Sequence, residues 1–212
     1  MRGLLLKDLY NLGNQWKYLL FVAAIFCFSF ANSAEGTISV MVTFLTVVLL
    51  LNSLAQDEMD QWYLLAKTLP VTGKQILLAK YIFGVLLVFC GALGGGVLTI
   101  LTSLVAHGEL TPVGTIVEVT AVASGAILAT IGLLIPVNLK FGVQRARYVL
   151  FGLVIIPIGF QFIAERLQLS LEWIEKLMEA PAILEGGSLV AGLLLLGISF
   201  LVSVRILDNK EF

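Results

Sequence analysis

Short charged segments cut the chain into six long apolar runs, and this pattern limits the possible folds more than any other feature. A helix needs about 20 apolar residues to cross the hydrocarbon core of a bilayer. The runs cover residues 17–33, 37–56, 76–106, 113–137, 148–164 and 188–206. Continuous apolar runs of this kind are helices, because a helix satisfies its backbone within the segment, whereas barrel strands alternate over roughly 10 residues. Only 13% of the residues are charged, against roughly 25% in a soluble domain, so a water-facing globule would lack polar cover. The expectation is an all-α membrane protein of six transmembrane helices. Arg2, Lys7 and Lys17 before the first run, with Ala31-Asn32-Ser33 after it, resemble a signal peptide. The charged stretch is too long for that, and the run reads as the first span.

Lys and Arg set the orientation. With the N-terminus inside, Arg2, Lys7, Lys17, Lys67, Lys74, Lys80, Lys140, Arg145, Arg147, Arg205 and Lys210 are cytoplasmic, and only Arg166 and Lys176 are outside. Glu35, Glu109, Glu118, Glu165, Glu172, Glu175, Glu179 and Glu185 fall on the outer side. Both termini are therefore expected in the cytoplasm.

Two further helices are expected outside the spans. Residues 1–14 place Leu4, Leu5, Leu9 and Leu12 near one face, with Arg2, Lys7 and Asp8 elsewhere, as in an interfacial helix on the cytoplasmic surface. On the outer side, Leu167, Leu171, Ile174, Leu177 and Met178 recur at helical spacing opposite Glu165, Glu172, Glu175 and Glu179. Pro181 and Gly186-Gly187 would end that amphipathic helix.

Residues for catalysis are scarce. His107 is the only histidine, which excludes HExxH sites and histidine-based triads. Gly73-Lys74 looks like the end of a phosphate-binding loop, but Thr68 stands where the first glycine belongs and Gln75 replaces Ser/Thr. Cys27 and Cys90 lie in apolar runs without a CxxC and read as small buried apolar residues. Ionisable residues are nearly absent from the spans, which disfavours an ion-coupled carrier. The GxxxG within Gly91–Gly96, and Gly152 and Gly159 around Pro157, read as packing surfaces or as a gate. Asn52, Ser53 and Gln56 near the inner end of the second span either line a pathway or bond neighbouring helices.

The loop from Asp57 to Lys80 is the most informative. Asp57, Glu58 and Asp60 precede Trp62, Tyr63, Leu64 and Leu65; Pro70 and Gly73 break the chain before the third span. A short helix is expected ahead of that break. Its aromatic and leucine side chains either anchor in the headgroups or dock into another protein.

The run Asp57-Glu58…Trp62-Tyr63-Leu64-Leu65…Thr68-Leu69-Pro70-Val71…Lys74-Gln75-Ile76-Leu77-Leu78-Ala79-Lys80-Tyr81 resembles the "E…W…YLLxxLPVxxxxIVxxKY" segment of ABC-2 type transporter permeases. Met1-Arg2-Gly3-Leu4-Leu5-Leu6-Lys7-Asp8-Leu9-Tyr10 resembles their "MKGLLLKDLY" opening. Pro136 with Lys140-Phe141-Gly142…Arg145-Ala146-Arg147 resembles their loop between spans four and five. Gly73 before Lys74 departs slightly from the family pattern. The likeness is to small permeases without large extracellular domains, including exporters of amphipathic peptides such as bacteriocins.

The resemblance implies one transmembrane domain over residues 1–212, paired with a second permease chain, the same or related. It also implies separate ATPase subunits that hold ATP and magnesium; this chain would carry no cofactor. Glu58, Trp62, Tyr63, Leu64, Leu65, Leu69, Pro70, Val71 and Lys74 would form the coupling helix and its ATPase interface. Lys7, Asp8, Tyr10, Lys140, Arg145 and Arg147 would form the cytoplasmic platform. The implied location is a bacterial plasma membrane, and the implied activity is export of hydrophobic or amphipathic peptides. The alternative classes are a membrane enzyme and an immunity protein that sequesters a toxic peptide without transport.

Overall fold

The computed structural model describes residues 2–13, 16–30, 36–66, 68, 72–107, 112–166 and 181–208. Among them are eight helices and no strand: α1 (Arg2–Gly13), α2 (Trp16–Ser29), α3 (Thr37–Met59), α4 (Trp62–Ala66), α5 (Gly73–His107), α6 (Val113–Phe141), α7 (Val143–Arg166) and α8 (Pro181–Asp208). Four are long and apolar enough to cross a membrane, over Thr37–Met59, Gly73–Ala106, Val113–Phe141 and Gly186–Leu207. At a rise of about 1.5 Å per residue, the 14 residues of α2 fall short of a hydrocarbon core about 30 Å thick. Residues 31–35, which would complete that run, lie outside the described residues, as does the expected outer amphipathic helix over 167–178.

Three expectations need correction. Pro181 starts α8, and Gly186-Gly187 lie inside α8 rather than at the end of a helix. Proline suits the first helical turn, where its missing N–H leaves no bond unmade. Asp8 shares the buried face of α1 with Leu4, whereas Leu9 is exposed. Cys90 is exposed on α5, and Cys27 is only half-buried.

α3, α5, α6 and α8 make the core, with α6 packed most extensively on α8 and α3 on α5. Val47, Leu50, Phe83, Ile131, Leu134 and Ile135 are fully buried between them. Small residues set how closely the helices approach. A Cβ on Gly91 would lie 2.4 Å from the Thr46 side chain, and one on Gly95 would lie 2.9 Å from the Ser39 backbone. The GxxxG pair is therefore a packing surface against α3. Gly125 and Gly192 perform the same task between α6 and α8, where a Cβ on Gly192 would lie 2.5 Å from the Gly125 carbonyl. By contrast, Gly152 and Gly159 on α7 face no described neighbour. Apolar side chains remain outward along α5, at Phe89, Leu93, Val97 and Leu101, and along α7, at Tyr148, Phe151 and Ile155. Water would not tolerate this surface; hydrocarbon would.

The charged end of the bundle

At one end of the bundle, α1, α3 and α5 bring two lysines and two aspartates into a closed ring. Lys7 Nζ lies 2.5 Å from Asp57 Oδ1, and Lys80 Nζ lies 2.6 Å from Asp57 Oδ2 and 2.7 Å from Asp8 Oδ1. Lys7 closes it at 3.4 Å from Asp8. Ser53 donates to Asp8 Oδ1 at 3.2 Å and accepts from Lys80 at 2.9 Å. The side chains of Asp8, Asp57 and Lys80 are 2–3% exposed, and that of Lys7 22%. Charges so far from water require opposite charges beside them, and the ring sums to zero.

Each member arrives by helical spacing. Leu4, Asp8 and Leu12 are four residues apart on α1, and Leu50, Leu54 and Asp57 share one face of α3. On α5, Lys80 sits between buried Leu77 and Phe83. Beside the ring, Leu4, Ala66, Ile76 and Ala79 form a small apolar cluster, joined by Leu5 and Trp62. This cluster ties α4 to α1 and α5. Lys7 Nζ stands 4.1 Å from the centroid of the Trp62 ring, within cation–π range.

The turn from α3 into α4 passes through Gln61 at φ 50°, a left-handed conformation uncommon outside glycine. α5 opens with a capping box: the Thr72 N–H donates to Gln75 Oε1 at 3.1 Å, and the Gln75 N–H donates to Thr72 Oγ1 at 3.4 Å. Gly73 packs against α8, where an added Cβ would lie 2.6 Å from the tip of the Leu207 side chain. The residues that resemble a phosphate loop are thus a helix start packed on α8.

Glu58 reaches the other side of this end. Its Oε2 accepts from the Val143 N–H at 2.8 Å, capping α7 where the chain leaves α6 through Gly142 at φ 85°. Lys140 and Arg145 are exposed there and lie 5.2 and 5.6 Å from the Phe141 ring. Arg147 is half-buried. Tyr10, Leu65 and Lys74 are exposed, and Trp62 is half-buried. Tyr63 and Leu64 belong to the backbone of α4, with their side chains outside the described residues, as Leu69, Pro70 and Val71 are entirely. Of the residues read as a possible pathway, Ser53 is bound into the ring, while Asn52 and Gln56 are half-buried. Gln56 Oε1, Trp62 Nε1 and Asn138 Nδ2 are buried with no hydrogen-bond partner among the described residues.

Deeper in the bundle, α6 carries Pro136 in its interior. Proline has no N–H, so the carbonyl four residues earlier, at Gly132, loses its helical donor. Ser199 of α8 donates to that carbonyl. Tyr81 of α5 joins the same group, with its hydroxyl 2.6 Å from Ser199 Oγ and 2.9 Å from Ser203 Oγ. Neighbouring hydroxyls are what make a proline tolerable within a membrane helix.

A cleft of about 480 Å³ runs between α5 and α6, from Val85 to Ile100 on one side and Val113 to Leu128 on the other. Its lining is almost wholly apolar. The hydroxyls at its wall are engaged: Thr120 pairs with Ser39 at 2.6 Å, and Ser124 donates to the Thr120 carbonyl.

A family model described as ABC-2 family transporter protein matches residues 3–208. The chain belongs to that family. It is thus a multi-pass membrane protein and a transmembrane component of an ABC transporter, a class that transports rather than catalyses and works with ABC ATPases. No curated protein and no solved structure matches this ABC-2 chain.

Asp57 and Lys80 are absent from the residues singled out by sequence as functional. Their signal is nonetheless present: a lone charge on the apolar face of a regular helical repeat marks a buried partner, as it does for Asp8.

Proposed function

We propose that this ABC-2 chain is the permease subunit of an ATP-driven exporter, with six spans, both termini in the cytoplasm and a second permease chain beside it. The charged end is then the cytoplasmic end, where α1 and α4 would meet the ATPase. The observation that carries this reading is the ring that fastens α1, α3 and α5 beside α4. A push on α4 or α1 would be delivered to the ends of two long helices rather than dissipated in a loop. The buried Trp62 Nε1–H, without an acceptor among the described residues, supports an interface completed by a partner, because buried donors are normally paired. Leu6, Leu9 and Tyr10, exposed on α1, suit a helix resting in the headgroups.

In this reading Glu58, Trp62, Tyr63, Leu64, Leu65, Leu69, Pro70, Val71 and Lys74 form the ATPase-coupling segment, and ATP and magnesium belong to the partner. Lys7, Asp8, Tyr10, Lys140, Arg145 and Arg147 form the platform. The apolar cleft and apolar bundle favour hydrophobic or amphipathic peptides as cargo, in the plasma membrane of a bacterium.

The test is co-purification followed by flux. The chain should retain an ABC ATPase, and Trp62→Ala with Leu69→Ala should release it and abolish ATP-dependent peptide movement in reconstituted vesicles. An intact complex with unchanged ATP turnover in that variant would overturn the coupling assignment. Peptide retention without flux, despite a competent ATPase, would favour sequestration instead.

A further inference from the structure

The four members of the charged ring are not equivalent. Lys80 sits between both aspartates and is sealed, whereas Lys7 is the corner that water reaches. Without Lys7, the core of Asp8, Lys80 and Asp57 would be left one negative charge in excess, in a place where uncompensated charge is costly. Lys7 is also stacked on α4, through the Trp62 indole at 4.1 Å. The other face of that attachment is apolar: Trp62 and Leu5 pack on the cluster of Leu4, Ala66, Ile76 and Ala79. The short helix α4 and the N-terminal helix α1 thus share one lysine, whose ammonium serves a carboxylate on one side and an indole face on the other.

We propose that Lys7 is a positioning residue that latches α1 and α4 together, so that displacing Trp62 loosens Lys7 from Asp57 and frees α1 from the bundle. The direction of transmission follows from the burial pattern. Lys80 cannot leave without stranding both aspartates, so the ring opens at Lys7 first. Anything that moves α4 acts on that corner, and α1 responds through Lys7 even when the push falls on α4 alone. The proposal adds to the permease reading but is tested on the chain alone, so its failure leaves that reading standing.

The experiment uses the full chain in lipid nanodiscs, with Trp16→Phe and Trp173→Phe leaving Trp62 as the single tryptophan. Two readouts are followed: amide exchange over residues 2–13, and quenching of Trp62 fluorescence by acrylamide. Trp62→Leu removes no charge, yet it should speed exchange in α1 by about two- to thirtyfold, the range expected for loss of a cation–π contact. Lys7→Met should speed that exchange and also raise Trp62 quenching, whereas Lys7→Arg should restore both. Because both variants break one latch, the double variant Lys7→Met/Trp62→Leu should exchange no faster than Lys7→Met alone. Should Lys7→Met fail to fold, Lys7→Gln with and without Trp62→Leu makes the same comparison. Unchanged α1 exchange in Trp62→Leu, or strictly additive effects in the double variant, would overturn the latch.

Discussion

Lys80 and Tyr81 are neighbours on α5, yet they belong to two buried polar assemblies of different chemistry. Lys80 sits in a ring of full charges that fastens α1 and α3 at the end of the bundle. Tyr81 sits in a relay of neutral hydroxyls that joins α5, α8 and the proline break of α6. The ring must balance as a whole, because removing one charge leaves another stranded away from water. The relay is a set of local bonds, each replaceable at modest cost. One assembly is therefore all-or-none, and the other is graded.

The sharpest test of that difference is Lys80→Met. It should destabilise the protein by about 3–5 kcal/mol, the usual consequence of breaking a buried pair from one side. Adding Asp8→Asn removes the partner charge and leaves the Lys7–Asp57 pair, so the double variant should recover much of the loss. Unfolding in mixed micelles at increasing denaturing detergent measures both. If the double variant were worse than Lys80→Met, the ring would be a set of independent bridges and the contrast with the relay would disappear.

Next in size is the relay. Tyr81→Phe should cost about 0.6–1.7 kcal/mol, as interhelical hydrogen bonds in membranes do. Ser199→Ala should cost a similar amount because it bares the Gly132 carbonyl. Pro136→Ala restores a backbone donor for that carbonyl, so Ser199→Ala should be cheaper by about 1 kcal/mol in that background. Equal costs with and without the proline would show that Ser199 is not there to serve the break in α6.

The two assemblies also differ in how far the sequence reveals them. Runs of apolar residues exposed α3, α5, α6 and α8 directly, since run length is a property of each segment alone. The GxxxG at Gly91 and Gly95 was equally plain, because close approach of helices leaves small residues behind. The charge of Asp8 points to a solvent-facing position, whereas its spacing from Leu4 and Leu12 puts it on the buried face. A buried charge is stable only through partners on other helices, and no single segment displays those partners. The relay was hidden for a related reason: Pro136 announces a free carbonyl, but which helix supplies the hydroxyl depends on packing. Thr72 and Gln75 are the opposite case. Their capping box is local, three residues apart at the start of one helix, and needs no partner from elsewhere in the fold.

The smallest effect concerns the turn that delivers Trp62 to the ring. Gln61 adopts φ 50° between α3 and α4, where a side chain costs about 1–2 kcal/mol that glycine does not. Glycine in turn gives the unfolded chain more freedom, which offsets about 0.4–1 kcal/mol of that gain. Gln61→Gly should therefore stabilise the protein by about 0.5 kcal/mol, while Gln61→Val should destabilise it, because a branched Cβ is worse still in that conformation. The pair sharpens the contrast between the assemblies, since the relay lies within regular helices and carries no such turn. If Gln61→Gly instead lowered stability and raised the accessibility of Trp62, the stiffness of the side-chain-bearing turn would be what holds α4 against Lys7.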